Sequence, residues 1–220
     1  MIRSVTLITF KDGTDAASRE AVRQAYLQLP AHIPGLLAIH PGLDLNLLEG
    51  TADLAVVAEF ANREDFLTYS QHPAQAEVIF PVCAPVLAGW HTLQHEFVDA
   101  AFMEAYYAAY NSEDPERLRP FYHAEVELHS AQGVMKGPDA ILATYGWLTA
   151  NFRDQMSADR IVTAGSTATV WITDRFTAKQ DVPDFLGTSL KEGEEVVLKL
   201  KGTYELQDGA FKRITIEALG

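Results

Sequence analysis

The sequence predicts an α+β protein of two similar-sized domains, and three observations carry that reading. Roughly the first hundred residues alternate strand-like and helix-like patterning in the order β-α-β-β-α-β. Past Glu96 the pattern changes to helices first and long strands afterwards. No Gly/Ser-rich or Pro-rich linker divides the halves, so a stiff boundary is expected between domains 1–97 and 98–220. At 220 residues the chain can bury either one large core or two small ones.

In the first half, residues 2–10 alternate and are rich in β-branched side chains, as a half-buried strand requires. Lys11-Asp12-Gly13-Thr14-Asp15 reads as a turn ending in a helix cap, where a carboxylate oxygen can accept a free N–H of the first turn. Ala17, Ala21, Ala25 and Leu29, with Val22 and Tyr26, have the spacing of an amphipathic helix, which Pro30 and Pro34-Gly35 stop. Strands follow near Leu36–Leu47 and Ala52–Phe60. Asn62 caps a second helix containing Phe66 and Tyr69, which breaks at His72-Pro73, and a last strand covers roughly Gly89–Val98. This order is that of an antiparallel sheet with its helices on one face.

In the second half, Phe97 to Tyr110 is helical and dense in aromatic rings, and Asn111-Ser112-Glu113-Asp114-Pro115 closes it. A short helix to Tyr122, a strand Ala124–Ser130, a turn at Gly133 and a helix from Pro138 to about Asn151 follow. Three long strands end the chain, near Ala168–Lys179, Glu195–Leu206 and Phe211–Ala218, the last two joined by the hairpin turn Gln207-Asp208-Gly209. A curved sheet wrapped around helices is expected.

Composition excludes several functions. The net charge of −13 is spread over both halves, and no basic patch offers a footprint for nucleic acid. Anionic membranes should repel such a chain, and no apolar run approaches the length of a membrane span. The single cysteine, Cys83, lies in an apolar stretch and reads as a small buried hydrophobe. The N-terminus has no signal-like segment, so a cytoplasmic location is expected. No Cys pair, His-x-x-x-His or Gly-rich phosphate loop is present, and neither a metal nor a cofactor is expected.

The blocks Val5-Thr6-Leu7-Ile8-Thr9-Phe10-Lys11-Asp12, Ile33-Pro34-Gly35-Leu36, Gly42-Leu43-Asp44, Ala55-Val56-Val57-Ala58-Glu59-Phe60 and Tyr69-Ser70-Gln71-His72-Pro73-Ala74 occur in order. In them the first half resembles the dimeric stress-responsive A/B barrel family. The resemblance implies a ferredoxin-like unit whose sheet pairs with a second copy, hence a homodimer. Some relatives are polyketide cyclases with a helix bearing Tyr-x-x-His-Pro-x-His, whose last histidine is the general base. Here Tyr69 and His72 are in place, but Gln75 stands at the base position, and an amide cannot abstract a proton at useful pH. Tyr69 and His72 are therefore either pocket residues that bind substrate or structural groups around the Pro73 break.

The second half resembles the SnoaL-like members of the nuclear-transport-factor-2-like cones, through Phe102-Met103-Glu104-Ala105-Tyr106-Tyr107-Ala108-Ala109-Tyr110-Asn111, the stretch Phe121–Ser130, Lys136-Gly137-Pro138-Asp139-Ala140-Ile141 and the closing strand pair. The resemblance, which extends to ketosteroid isomerases, implies a tyrosine on the first helix donating to an oxyanion and a carboxylate moving a proton. Counting back from Asn111 gives Tyr106 as the donor. The base position falls at Ser130, with His129 one residue earlier. Strand parity puts Ser130 on the face of Val126 and Leu128, and His129 on the opposite face unless a bulge intervenes. Asp174 shares a face with Val170 and Ile172, where burial would raise its pKa; the alternative is an ion pair with Arg175 or Lys199.

Tyr110, Trp147, Trp171 and Ser130 complete the expected substrate-binding set, and an aromatic-lined cone suits a flat, oxygenated, mostly apolar ligand. Asp181-Val182-Pro183-Asp184-Phe185-Leu186-Gly187 reads as either a lid over the open end or a plain surface loop. Together these features lead to a cyclase- or isomerase-type enzyme acting on a polyketide-like or other aromatic substrate, with Tyr106, Asp174 and His129 as its catalytic groups. The competing reading is a non-catalytic hydrophobic-ligand binder or dimeric scaffold.

Overall fold

The computed structural model describes residues 1–219, which divide into two compact units, 1–96 and 97–219. In the first unit, β1 (Ile2–Phe10) leads to α1 (Ala16–Gln28), whose Asp15 cap accepts the Ser18 N–H at 2.7 Å. Then come β2 (Leu36–Leu43), β3 (Leu54–Phe60), α2 (Arg63–Gln71), α3 (Phe80–Cys83) and β4 (Leu87–Glu96). The strands form an antiparallel sheet in the order β2-β3-β1-β4. Ile8 and Phe10 of β1 and Leu54, Val56, Ala58 and Phe60 of β3 face the helices and are buried with Val22, Tyr26 and Leu29 of α1. This is the ferredoxin-like arrangement that the sequence predicts.

The second unit opens with α4 (Ala100–Tyr110), capped by the Asp99 side chain, then α5 (Pro115–Leu118) and β5 (Tyr122–Ser130). β6 (Gly133–Lys136), α6 (Pro138–Asn151) and β7 (Phe152–Ala164) follow. β8 (Thr167–Ala178), the short hairpin β9 (Val182–Phe185) and β10 (Thr188–Leu190), β11 (Glu195–Gln207) and β12 (Ala210–Ala218) complete it. Six strands make one sheet in the order β6-β5-β12-β11-β8-β7, while β9 and β10 hydrogen-bond to each other as a separate pair. α4 contributes Met103, Tyr106, Tyr107 and Tyr110 to a core completed by the inward residues of β8, β11 and β12. The fold is the nuclear-transport-factor-2-like cone.

Two features depart from the expected pattern. Residues 152–164 form a thirteen-residue strand, β7, where the sequence reading has none. The segment after Asp181 is a β-hairpin rather than an irregular loop. No helix among the described residues is long and apolar enough to cross a membrane.

Candidate active site

The site grows from the alternation of β7 and β8. In β8, Val170, Ile172, Asp174 and Phe176 all face inward and are buried, so the carboxylate is carried inside by its apolar neighbours. In β7, Phe152 and Asp154 face the same way. Met156 pairs with Asp174 and Asp154 with Phe176, so the two aspartates are diagonal neighbours on one sheet face, a separation side chains can span. Asp154 is 0% exposed and Asp174 2%. The two carboxyls are close enough for each to act on the other's ionisation. Oδ1 of each is buried without a hydrogen-bond partner among the described residues.

Electrostatics follow from that geometry. Burial first, and then the neighbouring Asp154 charge, push Asp174 up to about 9. Burial also raises Asp154, but Asp174 and Tyr110 beside it favour its ionised form. Asp174 is thus the more strongly held acid of the pair, and Asp154 the one whose neighbours favour the anion. The Tyr110 hydroxyl donates to Asp154 Oδ2 at 2.7 Å. Tyr110 is fixed in turn by α6, because the Tyr145 hydroxyl donates to its carbonyl oxygen. The end of α4 is tied to β7 by Asn111, whose amide donates to the Met156 carbonyl and accepts the Met156 N–H, both at 2.8 Å. β7 is a sheet edge, and the asparagine supplies the hydrogen bonds a further strand would have made.

Phenols surround the pair. The Tyr107 and Tyr204 hydroxyls lie 2.7 Å apart, and burial keeps both phenols protonated, reinforced whenever Asp174 is charged. The Tyr106 hydroxyl lies 3.3 Å from that of Tyr122, itself pushed up to about 12 by burial. The Tyr106 ring packs edge-on among six others at 4.9–6.4 Å. Tyr106 therefore sits inside the cone, yet the phenol on a carboxylate is Tyr110.

Of the other residues singled out from the sequence, several lie apart from this cluster. Leu128 packs on the core, so His129, next along β5, faces the other way, with Nε2 3.0 Å from Glu127 Oε2. Lys136 and Arg213 pair with the same glutamate. The parity of β5 thus holds His129 in a charged network rather than beside Tyr106. Ser130 Oγ donates to Gln132 Oε1 at 2.9 Å in the turn before β6. Trp171 lies on the outer face of β8 under the Arg160 guanidinium at 4.7 Å. Trp147 is half exposed, its ring 6.1 Å from Phe152. Neither ion pair open to Asp174 forms, since Arg175 pairs with Glu195 and Lys199 with Asp159. Asp154 is the group that sequence reasoning missed. Its signal was the in-phase series Phe152, Asp154, Met156, Ala158.

The first unit holds a separate cavity of about 360 Å³ between its sheet and helices. Ser4, Thr6, Thr92 and Gln94 form its polar floor, and Phe66, Tyr69 and Gln75 stand opposite. Gln94 donates to Thr92 Oγ1 at 2.9 Å and Ser4 Oγ at 3.3 Å, and burial raises the Tyr69 hydroxyl pKa. His72 ends α2 and its Nδ1 accepts the Ala74 N–H at 3.2 Å, a capping contact around Pro73. Among the described residues no group of three or more His, Cys, Asp or Glu side chains is placed to hold a metal ion.

Comparison with known proteins agrees with both architectures. Residues 103–214 match the model of the SnoaL-like domain, and residues 2–99 that of the Stress responsive A/B Barrel Domain. No curated protein matches the chain. Among solved structures, a dimeric ferredoxin-like protein of unknown function from Thermobifida fusca is 34% identical over 42% of this chain and 87% of its own, with a TM-score of 0.39. TsrD from Streptomyces laurentii is 23% identical over 55% of this chain and 90% of its own, at 0.47. An LEH-like epoxide hydrolase from M. tuberculosis is 13% identical over 54% and 80%, at 0.45.

Proposed function

The chain belongs to the SnoaL-like domain family, and from that premise we propose that its second unit is a small-molecule enzyme of the cyclase or isomerase type. Its substrate is a polyketide-like or other aromatic, oxygenated compound. One observation carries the reading: two buried carboxyls lie side by side on one sheet face, one of them accepting from a phenol. Such a pair supplies both halves of acid–base catalysis at one pH. Asp154, ionised, takes the proton from carbon next to a carbonyl. Asp174, protonated, donates a hydrogen bond to the oxygen on which negative charge develops, and water is excluded from both. Tyr110 keeps Asp154 ionised and aimed. Proton return to a different carbon completes an isomerisation; attack of the enolate on a second carbonyl closes a ring.

A second reading suits the first unit. Its cavity has hydroxyl and amide groups where acid–base chemistry would need a base, which supports ligand holding rather than turnover.

The test is turnover of a panel of aromatic polyketones by the full chain. Asp174→Asn and Asp154→Asn should each lower turnover by about 10²–10⁴-fold. Tyr110→Phe should lower it less, since its contact acts through Asp154. Unchanged turnover in both asparagine variants would falsify the assignment.

A further inference from the structure

We infer that the cradle formed by Phe152 and Phe176 is a binding subsite for a planar aromatic ring, which the chain's own Phe185 occupies in this structure. The inference deepens the acid–base reading and rests on it for the identity of the reacting groups.

The interior of the second unit is not one continuous core. Met156 and Ile172 belong to the large cluster around the tyrosines. Phe152 and Phe176 belong to a smaller one with Val182, Phe185 and Leu190. Asp154 follows Phe152 by two residues on β7, and Asp174 precedes Phe176 by two on β8, all facing inward. The carboxyl pair therefore lies on the seam between the two clusters, with Asp154 directly across from Phe176. Anything held between Phe152 and Phe176 lies next to the carboxyl pair.

Phe185 fills that place. Its ring centroid is 4.4 Å from Phe152 and 5.0 Å from Phe176, tilted by 41° and 56°, so the cradle already accepts a six-membered ring. The element that inserts it is held by the side chains it buries, Val182, Phe185 and Leu190, rather than by strand pairing to the main sheet. β9 and β10 form a two-stranded sheet of their own, and such a hairpin is marginal without its packing. Pro183, Asp184, Leu186, Gly187, Thr188 and Ser189 are exposed, while Phe185 is 7% exposed. The turn is stiff, with Leu186 at φ 54° and Gly187 at φ 82° and the Gly187 N–H donated to Asp184 at 2.9 Å. The hairpin can therefore move as one piece, withdrawing one ring and admitting another. With both carboxyls closed to solvent, access from this end requires that exchange.

Isothermal titration with 2-naphthol, a planar hydroxylated ring, tests the exchange on the full chain. Phe185→Ala should bind it about tenfold or more tighter than the parent, because the ligand no longer has to displace a buried ring. Phe185→Leu, which keeps apolar bulk and guards against misfolding, should fall between. Adding Phe152→Leu to Phe185→Ala should abolish the gain. Equal affinity in the parent and both Phe185 variants overturns the inference. So does a gain that survives Phe152→Leu, which would place the naphthol elsewhere, such as the first unit's cavity. Binding that follows these variants while Asp174→Asn keeps full turnover leaves the subsite standing and removes the acid–base reading. The opposite pattern removes only the subsite.

Discussion

Asp174 shows how a single side chain trades stability for chemistry. Its pKa is about 9 in the folded chain against 3.8 for the free side chain. Between those values the folded state holds a proton that the unfolded state has released. Stability is thus fully supported below about pH 4 and falls as pH rises through about 9. The midpoint of thermal unfolding should decline across that range, and Asp174→Asn, whose amide can donate to Asp154 without titrating, should remove this part of the decline. The gap between variant and parent would then widen in the variant's favour toward alkaline pH. Parallel curves for the two proteins would mean that Asp174 does not hold the proton. A variant more stable than its parent yet inactive is the signature of a catalytic group, because strained sites lose stability for function. That Asp174 points inward was legible from the phase of Val170 and Ile172. Its partner was not, because a partner's identity depends on a strand that local pattern did not disclose.

At the scale of elements, legibility followed the clarity of periodicity and caps. The helix Pro138–Asn151 and the Asp15 and Asn62 caps were readable, because each rests on residues adjacent in sequence. β7 was hidden for two reasons. It begins directly after α6 with no turn residues between, and the aspartate on its inner face breaks the apolar alternation that marks a strand. β11 offers a test of how tightly the cone is packed. A Cβ on Gly202 would lie 2.6 Å from Tyr204 Cε2, and Tyr204 is held by Phe211 at 5.1 Å, Tyr106 at 5.8 Å and its bond to Tyr107. The ring has nowhere to retreat. Gly202→Ala should therefore cost about 1–3 kcal/mol in chemical denaturation, as overpacked cores do. It should cost less in a Tyr204→Phe background, where no hydroxyl bond resists the shift. A neutral Gly202→Ala would show that the phenols are looser than their spacing suggests.

For the whole molecule, the family resemblances were legible because ordered blocks of sequence survive in both halves, but the surfaces they leave exposed need coordinates. The first unit buries one sheet face under its helices and leaves the other open. Across that face Val57, Val5 and Leu93 form one rung and Ala55, Leu7 and His91 the next, with Leu7 42% and Leu93 56% exposed. Arg3 and Glu59, 2.6 Å apart, border the rungs on the same face. An exposed row of this kind invites a second sheet, and we propose that two copies of the chain pair through it. Each copy carries a net charge of −13, so the copies repel at long range and apolar contact must overcome that repulsion. Added salt should consequently tighten the dimer, since at about 0.1 M screening acts beyond roughly 10 Å while buried leucines are unaffected. Light scattering should give about twice 24.3 kDa for the parent at micromolar concentration. Leu93→Glu should give the single-chain mass, because it puts a carboxylate into the apolar row that pairing would bury. A parent that scatters as one chain, at low and at high salt, would leave the open face without this partner.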